Sequence, residues 1–293
     1  MDEPAIRVRA LRKAYGDNVA VAAIDLDVAY GEVFALLGPN GAGKTTTVEI
    51  LEGYRRRDAG EVTVLGVDPA VANGKRGTTS DAVAKRWRER VGIVLQGTGE
   101  FDELTVGEVV RHFARFYPAA DDPGAVIERV GLAEKVRART HTLSGGQKRR
   151  LDVALGIIGR PDLLFLDEPT TGFDPEARRE FWALIRDLQA GGTTIVLTTH
   201  YLEEAEALAD RVGVIARGQL IAVDTPRSLG RRDSALATVS WRTPEGSWER
   251  TQSATPTAVV TDLAARYSGE VPGLTVTRPT LEDVYLEMIG GAA

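Results

Sequence analysis

The sequence contains no cysteine, which excludes disulfide bonds and thiolate metal sites. That absence fits a reducing compartment such as the cytosol. Long apolar runs are missing too. A membrane-spanning helix needs roughly 20 apolar residues, whereas the richest stretches, residues 163–166 and 195–197, have the length of strands. The first residues carry neither the basic start nor the apolar segment of a signal peptide, so we expect no leader.

The sequence contains fewer basic than acidic residues. Its 36 Lys and Arg and 42 Asp and Glu give a formal net charge of −6. An acidic chain does not attract nucleic acid in bulk, so we expect no nucleic-acid partner. Two short basic runs, residues 55–57 and 148–150, are interpreted as solvated helix faces. The 293 residues, 43% of them hydrophobic, suffice for one large domain with an appendix.

Apolar strand patterns alternate with helical periodicity along most of the chain. Strands are predicted at residues 6–11, 20–28, 33–37, 62–65, 91–95, 163–167 and 193–199. Helices are predicted at residues 45–54, 106–117, 123–130, 147–158 and 175–189. The small-residue stretch 69–85 is predicted to be a loop. This alternation indicates a parallel sheet flanked by helices, with a helical subdomain at about residues 97–158.

The pattern of predicted secondary structure changes after Arg232. Two short strands are predicted at residues 237–242 and 247–251, followed by one helix opened by Thr255-Pro256 and a last helix opened by Thr280. We therefore predict two domains. The first spans residues 1–232, and residues 233–293 form a small α+β accessory domain.

Residues 38–45 read Gly-Pro-Asn-Gly-Ala-Gly-Lys-Thr, the pattern of a phosphate-binding loop, and lie between a predicted strand and a predicted helix. The backbone amides of such a loop curl around phosphate oxygens, and the helix N-terminus adds positive potential. Lys44 is expected to reach the β- and γ-phosphates, and the Thr45 hydroxyl to ligate Mg²⁺. The alternative, a Gly-rich turn with an exposed lysine, does not account for the strand and helix context. The expected cofactors are ATP and Mg²⁺, and the expected binding residues are Gly38, Pro39, Asn40, Gly41, Ala42, Gly43, Lys44, Thr45 and Thr46.

Two neighbouring carboxylates, Asp167 and Glu168, close an apolar strand. Alone, such a pair is most often a solvated strand end, but together with a phosphate loop it favours catalysis. Side chains alternate along a strand, so the two acids can serve different tasks. We expect Asp167 to hold Mg²⁺ and Glu168 to act as the base toward the attacking water. Pro169 is expected to restrict Glu168 to extended backbone geometry.

Residues 143–147 read Leu-Ser-Gly-Gly-Gln and precede a predicted helix. Ser-x-x-Gln predicts a capping box, yet two adjacent glycines are costly unless a group such as a phosphate approaches the backbone. The motif resembles the signature of ABC ATPases. That resemblance implies an α/β fold, a P-loop NTPase of the ABC ATPase type with a mixed sheet core. In that family the signature binds the γ-phosphate of ATP held by the other subunit, which here assigns Ser144, Gly145, Gly146 and Gln147.

The same resemblance assigns four further residues. Gln96 resembles the glutamine that senses Mg²⁺ and takes part in catalysis, and His200 resembles the switch histidine that contacts the γ-phosphate. Asp174 resembles the aspartate that crosses the dimer interface. Tyr15 resembles the aromatic residue that stacks on adenine, with a core tyrosine as the alternative.

A finer resemblance is to drug-export ATPases of the daunorubicin-resistance type, and it rests on residues 170–175, 202–207 and 281–285. It implies an ATP-hydrolysing subunit at the cytoplasmic face of the membrane that powers a separate transmembrane permease. The partner ATPase subunit is a second copy or a paired chain. Aromatic residues of the helical subdomain are expected either to meet the permease or to form a local core: Phe101, Phe113 and Phe116.

Other members of the ABC ATPase class remain as alternatives. Chromosome-condensation ATPases separate the phosphate loop from the signature by long coiled coils, whereas Ser144 follows Lys44 by only 100 residues. Translation factors of this class usually carry two complete ATPase domains in one chain. An importer ATPase is a third possibility, against which the short C-terminal appendix argues modestly.

Overall fold

A computed structural model of the chain describes residues 3–73, 79–94 and 101–291. They form two compact units, one up to Val223 and the other from Asp224. The strands are β1 (Ile6–Tyr15), β2 (Asn18–Val28), β3 (Val33–Leu37), β4 (Ala59–Val64), β5 (Val91–Val94), β6 (Leu163–Asp167), β7 (Thr194–Thr198), β8 (Arg211–Ala216), β9 (Gln219–Asp224), β10 (Ala237–Arg242), β11 (Trp248–Ser253) and β12 (Thr275–Thr277). The helices are α1 (Lys44–Leu51), α2 (Thr79–Glu89), α3 (Val106–Ala114), α4 (Pro123–Arg129), α5 (Gly145–Ile157), α6 (Pro175–Ala190), α7 (Leu202–Leu208), α8 (Pro256–Arg266) and α9 (Leu281–Gly291).

A six-stranded sheet in the order β5-β6-β7-β3-β8-β9 forms the centre of the large unit. Strands β5 to β8 pair in parallel. Only Arg217 and Gly218 separate β8 from β9, a connection so short that these neighbours run antiparallel. Every residue of β3 and β7 is buried, as strands covered on both faces require. The mixed sheet predicted from the sequence is therefore confirmed.

A second sheet, antiparallel and in the order β2-β1-β4, covers part of the same core. Ile6, Val8 and Leu11 of β1 are fully buried, and a register shift between Val8 and Leu11 breaks the alternation of inward and outward residues. They pack in one cluster with Phe34 of β3 and Phe165 of β6. The two sheets thus share a single core, and the carboxyl ends of β3, β6 and β7 lie at one edge of the parallel sheet.

The prediction of a loop over residues 69–85 was wrong. A short 3₁₀ helix spans Pro69–Asn73, and α2 begins at Thr79. This helix carries Asp81 in its first turn and basic residues in its last, which complements the helix dipole. Its anchor is Trp87, which is buried and donates from Nε1 to the Val64 carbonyl at 3.0 Å. Two buried residues, Ala84 and Trp87, in an otherwise polar segment are too weak a pattern to mark a helix in the sequence.

The small unit contains a three-stranded antiparallel sheet in the order β11-β10-β12, with α8 packed against β10. Its core consists of Val239, Trp241, Leu263 and Val271. Helix α9 follows a local cap, because the Thr280 hydroxyl accepts from the Asp283 amide at 3.1 Å. In both units, none of the described helices combines the length and the apolar character that a bilayer crossing requires.

Candidate functional site

The loop between β3 and α1 holds its shape through glycines that no other residue replaces. Gly43 caps α1 with a φ of 107°, in the left-handed region. A Cβ at Gly43 would lie 2.3 Å from the Ala20 carbonyl oxygen, and one at Gly38 would lie 2.4 Å from that of Ile215. The loop therefore packs directly against neighbouring backbone, as the phosphate-loop pattern predicts.

Lys44 is folded over this loop. Its Nζ donates to the carbonyl oxygens of Gly38, at 2.7 Å, and Pro39, at 3.1 Å, and the residue is only 7% exposed. Burial lowers the pKa of the Lys44 ammonium, and the charges of Glu168 and Asp167 oppose that shift. The negative charges of Glu168 and Asp167 therefore act on the Lys44 ammonium within the same cleft.

Asp167 and Glu168 lie where β6 and β7 end side by side. The Thr198 hydroxyl of β7 donates to Asp167 Oδ1. The Glu168 amide donates to the Thr198 carbonyl oxygen at 3.0 Å and contacts its hydroxyl at 3.2 Å. The Asp167 carboxylate and the Glu168 backbone are therefore both held by the adjacent strand, and both residues line the same cleft as Lys44.

The expectation that Pro169 keeps Glu168 extended was wrong, because Glu168 has a φ of 44°, in the left-handed region. The chain turns there: the Glu168 carbonyl accepts from the Thr171 amide at 3.3 Å, and the Pro169 carbonyl accepts from Arg149 Nε at 3.2 Å. A left-handed residue other than glycine costs about 1–3 kcal/mol and such residues cluster at functional sites. The surrounding hydrogen bonds hold Glu168 in this conformation.

His200 follows β7 and meets Glu168. Its Nδ1 lies 3.2 Å from Glu168 Oε1. The imidazole packs against the Tyr201 ring, with 4.0 Å between centroids, and the other partner of that ring is the Arg178 guanidinium at 4.9 Å. The structure thus brings together the two residues that the sequence assigned separately, one to base catalysis and one to a phosphate contact.

A cleft of about 520 Å³ is lined by seven of the ten residues predicted to bind the phosphates and adenine; Gly38, Pro39 and Ala42 are the three that do not line it. Tyr15 stands at its side and is 41% exposed, which rules out the alternative of a core tyrosine. Cations lie near its ring: Lys13 Nζ at 5.4 Å and the Arg55 guanidinium at 5.3 Å from the centroid. The residues that line the cleft are Tyr15, Asn18, Ala20, Asn40, Gly41, Gly43, Lys44, Thr45, Thr46, Asp167 and Glu168.

Two of these residues, Asn18 and Ala20, were not predicted. They begin β2 directly after the turn that follows Tyr15, so their place in the cleft depends on a strand pairing and not on a motif. Gly218 was missed for the same reason. Its amide donates to the Ala42 carbonyl oxygen at 2.9 Å, so that the turn between β8 and β9 supports the phosphate loop.

A second cleft, of about 380 Å³, contains the signature residues. The predicted capping box at α5 is present, since Ser144 Oγ accepts from the Gln147 amide at 3.3 Å and Gln147 Oε1 accepts from the Ser144 amide at 3.1 Å. Asp174 caps α6 by accepting from the Ala177 amide at 2.8 Å, and it lies in this same cleft. The residues that line it are Gly131, Ser144, Gly145, Gly146, Gln147, Arg150, Gly172, Phe173, Asp174, Glu176, Ala177 and Glu180.

The two clefts are separate within one chain. No residue of the phosphate loop lines the second cleft, and no signature residue lines the first. Arg149 lies on α5, the helix that begins within the signature, and donates from Nη2 to the Asp167 carbonyl oxygen at 2.5 Å. This hydrogen bond joins α5 to the end of β6. The predicted Mg²⁺-sensing residue, Gln96, lies outside the described residues.

Comparison with known proteins gives one family match and many relatives. The family model for ABC transporters matches residues 21–171. The daunorubicin resistance ATP-binding protein DrrA3 of Streptomyces coeruleorubidus is 38% identical, over 99% of this chain and 97% of the relative. A Nod factor export ATP-binding protein I from Ralstonia nicotianae is 43% identical, over 77% of this chain and 68% of the relative.

Solved structures agree in fold. An ATP-binding subunit of an ABC transporter superposes with a TM-score of 0.69 at 21% identity, and the match covers 97% of this chain and 99% of that one. CbiO1 of Clostridium perfringens, part of the ABC transporter complex cbiONQ, gives a TM-score of 0.68 at 27% identity. That match covers 78% of this chain and 91% of cbiO1.

Proposed function

The chain belongs to the ABC transporter family, and from that premise we propose that it is the ATP-hydrolysing subunit of an exporter, which drives a separate transmembrane permease. The observation that carries the proposal is the cleft that brings the phosphate loop, Asp167 and Glu168 together. The resemblance inferred from the sequence, to ABC ATPases and to the daunorubicin-resistance type among them, is confirmed. ATP-binding export proteins among the relatives favour this function over the translation, DNA-maintenance and importer alternatives.

ATP occupies the first cleft in this proposal. The loop amides and the N-terminus of α1 receive the phosphates, and Lys44 leaves its two carbonyl acceptors to pair with the β- and γ-phosphates. Adenine stacks on the exposed ring of Tyr15. Binding thus replaces hydrogen bonds from the ammonium to neutral carbonyls with ion pairs to phosphate oxygens, whose negative charge opposes the lowering of the Lys44 pKa by burial.

The oxygen ligands at this cleft fit Mg²⁺. Thr45 is exposed and Asp167 is half-buried, and both line the cleft; hydroxyl and carboxylate oxygens are the ligands that Mg²⁺ prefers. Thr45, Asp167 and Gln96 would hold the ion, which would neutralise charge on the phosphates. The Thr198 hydroxyl keeps one oxygen of Asp167 oriented, so the other is free to face the cleft.

Hydrolysis is assigned to Glu168 and His200. Glu168 accepts a proton from the attacking water, because it is the carboxylate that β7 and the turn at Pro169 hold rigidly at the cleft. His200 is placed by its contact with Glu168 to hydrogen-bond the γ-phosphate and to keep the carboxylate oriented. Catalysis is mainly positioning and electrostatics around the γ-phosphoryl group.

Two chains are needed for a complete site. Because the phosphate loop and the signature lie in separate clefts of one chain, a head-to-tail pair with two-fold symmetry places each signature opposite the partner's phosphate loop. Residues Ser144 to Gln147 and Asp174 then complete the site of the other copy. An ATP-binding cassette that is similar in fold, at 22% identity, is a dimer bound to ADP and phosphate, which is a property of that protein. ATP bridges the pair, and hydrolysis removes the bridge.

The permease is proposed to dock on an apolar groove of about 530 Å³ that includes Trp87, Phe113 and Tyr117 in its walls. Phe113 also stands edge-to-face against Phe101, at 5.4 Å, and Phe116, at 5.9 Å. Phe116 is 62% exposed, which a local core does not explain. A helical segment of the permease supplies the missing apolar cover and places the chain at the cytoplasmic face of the membrane.

The C-terminal residues, 233–293, are assigned to an accessory domain. They contain their own sheet and their own small core, and the compact unit to which they belong begins at Asp224. None of the residues lining the two clefts comes from this part of the chain.

Reconstitution tests the proposed function. The chain is expressed together with a candidate permease, and the membrane and ribosome fractions are assayed; a transporter subunit follows the membrane only when the permease is present. The purified pair is then placed in proteoliposomes, where wild type supports ATP-dependent transport and Glu168→Gln does not. A chain that follows the ribosome, or transport that survives Glu168→Gln, would contradict the proposal.

A further inference from the structure

A buried carboxylate outside both clefts has no part in the chemistry described so far. Glu204 lies on α7, one helical turn after His200, and is 0% exposed. Neither of its carboxylate oxygens has an aligned hydrogen-bond partner among the described residues. A fully buried carboxylate is rare unless it is paired, so its neighbours need an explanation.

Its neighbours come from three other elements. Burial raises the pKa of Glu204, and that rise is opposed by hydrogen-bonding groups on Thr199, Thr170 and Trp182 and by the charge of Arg178. Thr199 directly precedes His200, Thr170 lies in the turn after Glu168, and the other two lie on α6. Glu204 therefore stands between the segments that carry the proposed base, the switch histidine and Asp174.

The neighbouring groups are donors that surround the Glu204 carboxylate and have no well-aligned acceptor. Thr170 Oγ1, Trp182 Nε1 and Arg178 Nε are buried and have no aligned partner. An indole N–H and a guanidinium N–H only donate. Thr199 Oγ1 accepts from the Tyr201 amide at 2.9 Å, which leaves its own proton to donate. A carboxylate is the one group in this set that accepts from all of them.

We propose that Glu204 is a positioning residue, which ties the turn carrying Glu168 and Asp174 to the segment carrying His200, so that the three enter the assembled site together. This inference rests on the proposed function. In the single chain the donors surround the carboxylate without aligned hydrogen bonds. A small joint shift of the turn at Thr170 and of the segment at Thr199 aligns them, and the assembled ATP-bound pair is the state in which that shift occurs.

Steady-state hydrolysis of MgATP by the full chain tests the proposal. Glu204→Ala is expected to lower kcat at least about tenfold, since a positioned general base contributes about 10²–10⁴ in rate, while the Kd for ATP changes little. Glu204→Gln keeps one acceptor oxygen and is expected to lower kcat less than Glu204→Ala does. The control is Glu206→Ala, an exposed glutamate on the same helix, which leaves kcat unchanged. Thr170→Val removes one donor at constant volume and lowers kcat as well.

The outcomes separate positioning from simple stabilisation. If Glu204→Ala does not fold, Glu204→Gln and Thr170→Val carry the test; kcat within twofold of wild type for both would overturn the proposal. A lower melting temperature with normal kcat would also overturn it. A wild-type chain that neither binds nor hydrolyses ATP would instead overturn the proposed function itself, and the role of Glu204 with it.

A spectroscopic measurement follows the hydrogen bond directly. The indole N–H resonance of Trp182, assigned by its loss in Trp182→Phe, is recorded for Glu168→Gln with and without MgATP. We expect a downfield shift on ATP binding, as the N–H engages the carboxylate, and no such shift when Glu204→Gln is added. A resonance that does not respond to ATP would contradict the joint shift.

Discussion

The imidazole Nδ1 of His200 lies 3.2 Å from the Oε1 of Glu168, across the carboxyl ends of β6 and β7. Glu168 directly follows β6, and His200 lies two residues after the end of β7. Both strands are buried along nearly their whole length. The pairing of β6 with β7 is therefore what brings the proposed base and the proposed γ-phosphate contact together. Lys44 reaches the same cleft from the neighbouring strand, β3, through the phosphate loop.

Replacement of Lys44 by alanine is expected to raise the Kd for ATP beyond the range that calorimetry can measure. The change deletes the cation that pairs with the β- and γ-phosphates, and hydrogen bonds to charged groups contribute about 1.5–3 kcal/mol each. Calorimetric titration of the monomer with MgATP measures the effect. Lys135→Ala, an exposed lysine that lines neither cleft, is the control and binds normally. Equal affinity in the two variants would refute the assignment of the loop.

Replacement of Ser144 by arginine is expected to block ATP-driven dimerisation while monomer binding survives. Ser144 is exposed in the second cleft, which in one chain contains no phosphate-loop residue. Because Ser144 does not line the cleft assigned to ATP in the same chain, the Kd of the monomer for ATP is expected to change little. Thr105→Arg is the matched control, since Thr105 also caps a helix with a capping box, at α3.

Mixing variants tests the head-to-tail arrangement itself. A pair formed from Ser144→Arg and Lys44→Ala has one site with both defects and one site with neither, because the intact phosphate loop of the first faces the intact signature of the second. One trapped nucleotide per mixed pair is therefore expected. No trapped nucleotide would show that each chain completes its own site, because each chain then carries a defect in that site. Two trapped nucleotides would also contradict the head-to-tail arrangement.

The stability of the chain is expected to fall at alkaline pH because of Glu52. Burial, with the nearby charges of Asp167 and Glu49, raises the pKa of Glu52 to about 8. The folded chain therefore holds this proton more tightly than the unfolded chain. The stability that the proton contributes is fully present below pH about 4.5 and is lost as the pH rises through about 8.

Urea unfolding without Mg²⁺ or nucleotide, at pH 6 and pH 9, measures this loss. One pKa unit corresponds to about 1.4 kcal/mol, so the free energy of unfolding drops by up to several kcal/mol in wild type. Glu52→Gln removes most of that difference, whereas Glu61→Gln, at an exposed position of β4, retains it. An identical pH dependence in wild type and Glu52→Gln would be inconsistent with a buried, protonated Glu52.

Local patterns account for what the sequence predicts well. The phosphate loop, the signature and the acidic pair are contiguous motifs, and their glycines, caps and strand ends depend on residues within a few positions. The boundaries of β3 and β6 follow from uninterrupted apolar runs and agree with the structure. Even Asp174, assigned by resemblance, has a local structural task as the cap of α6.

Long-range packing accounts for what the sequence does not reveal. The left-handed Glu168 depends on Thr198, 30 residues away, and this pairing overrides the preference that Pro169 imposes. Gly218 supports the phosphate loop only because β8 pairs with β3. In the sequence, Glu204 is one of several acidic residues on a short polar helix. Only its complete burial in the folded chain distinguishes it from the other glutamates of that helix.

Comparison of Glu168→Gln with Asp167→Asn in one buffer tests the central claim most directly. Glu168→Gln keeps the size of the side chain but removes the proton acceptor, so ATP hydrolysis is expected to fall by about 10²–10⁴. ATP then stays bound and a dimer is stable on gel filtration. Asp167→Asn instead weakens the Mg²⁺ dependence of binding and forms no lasting dimer. Hydrolysis by Glu168→Gln within about threefold of wild type, the result expected of an ordinary surface carboxylate, would contradict the account.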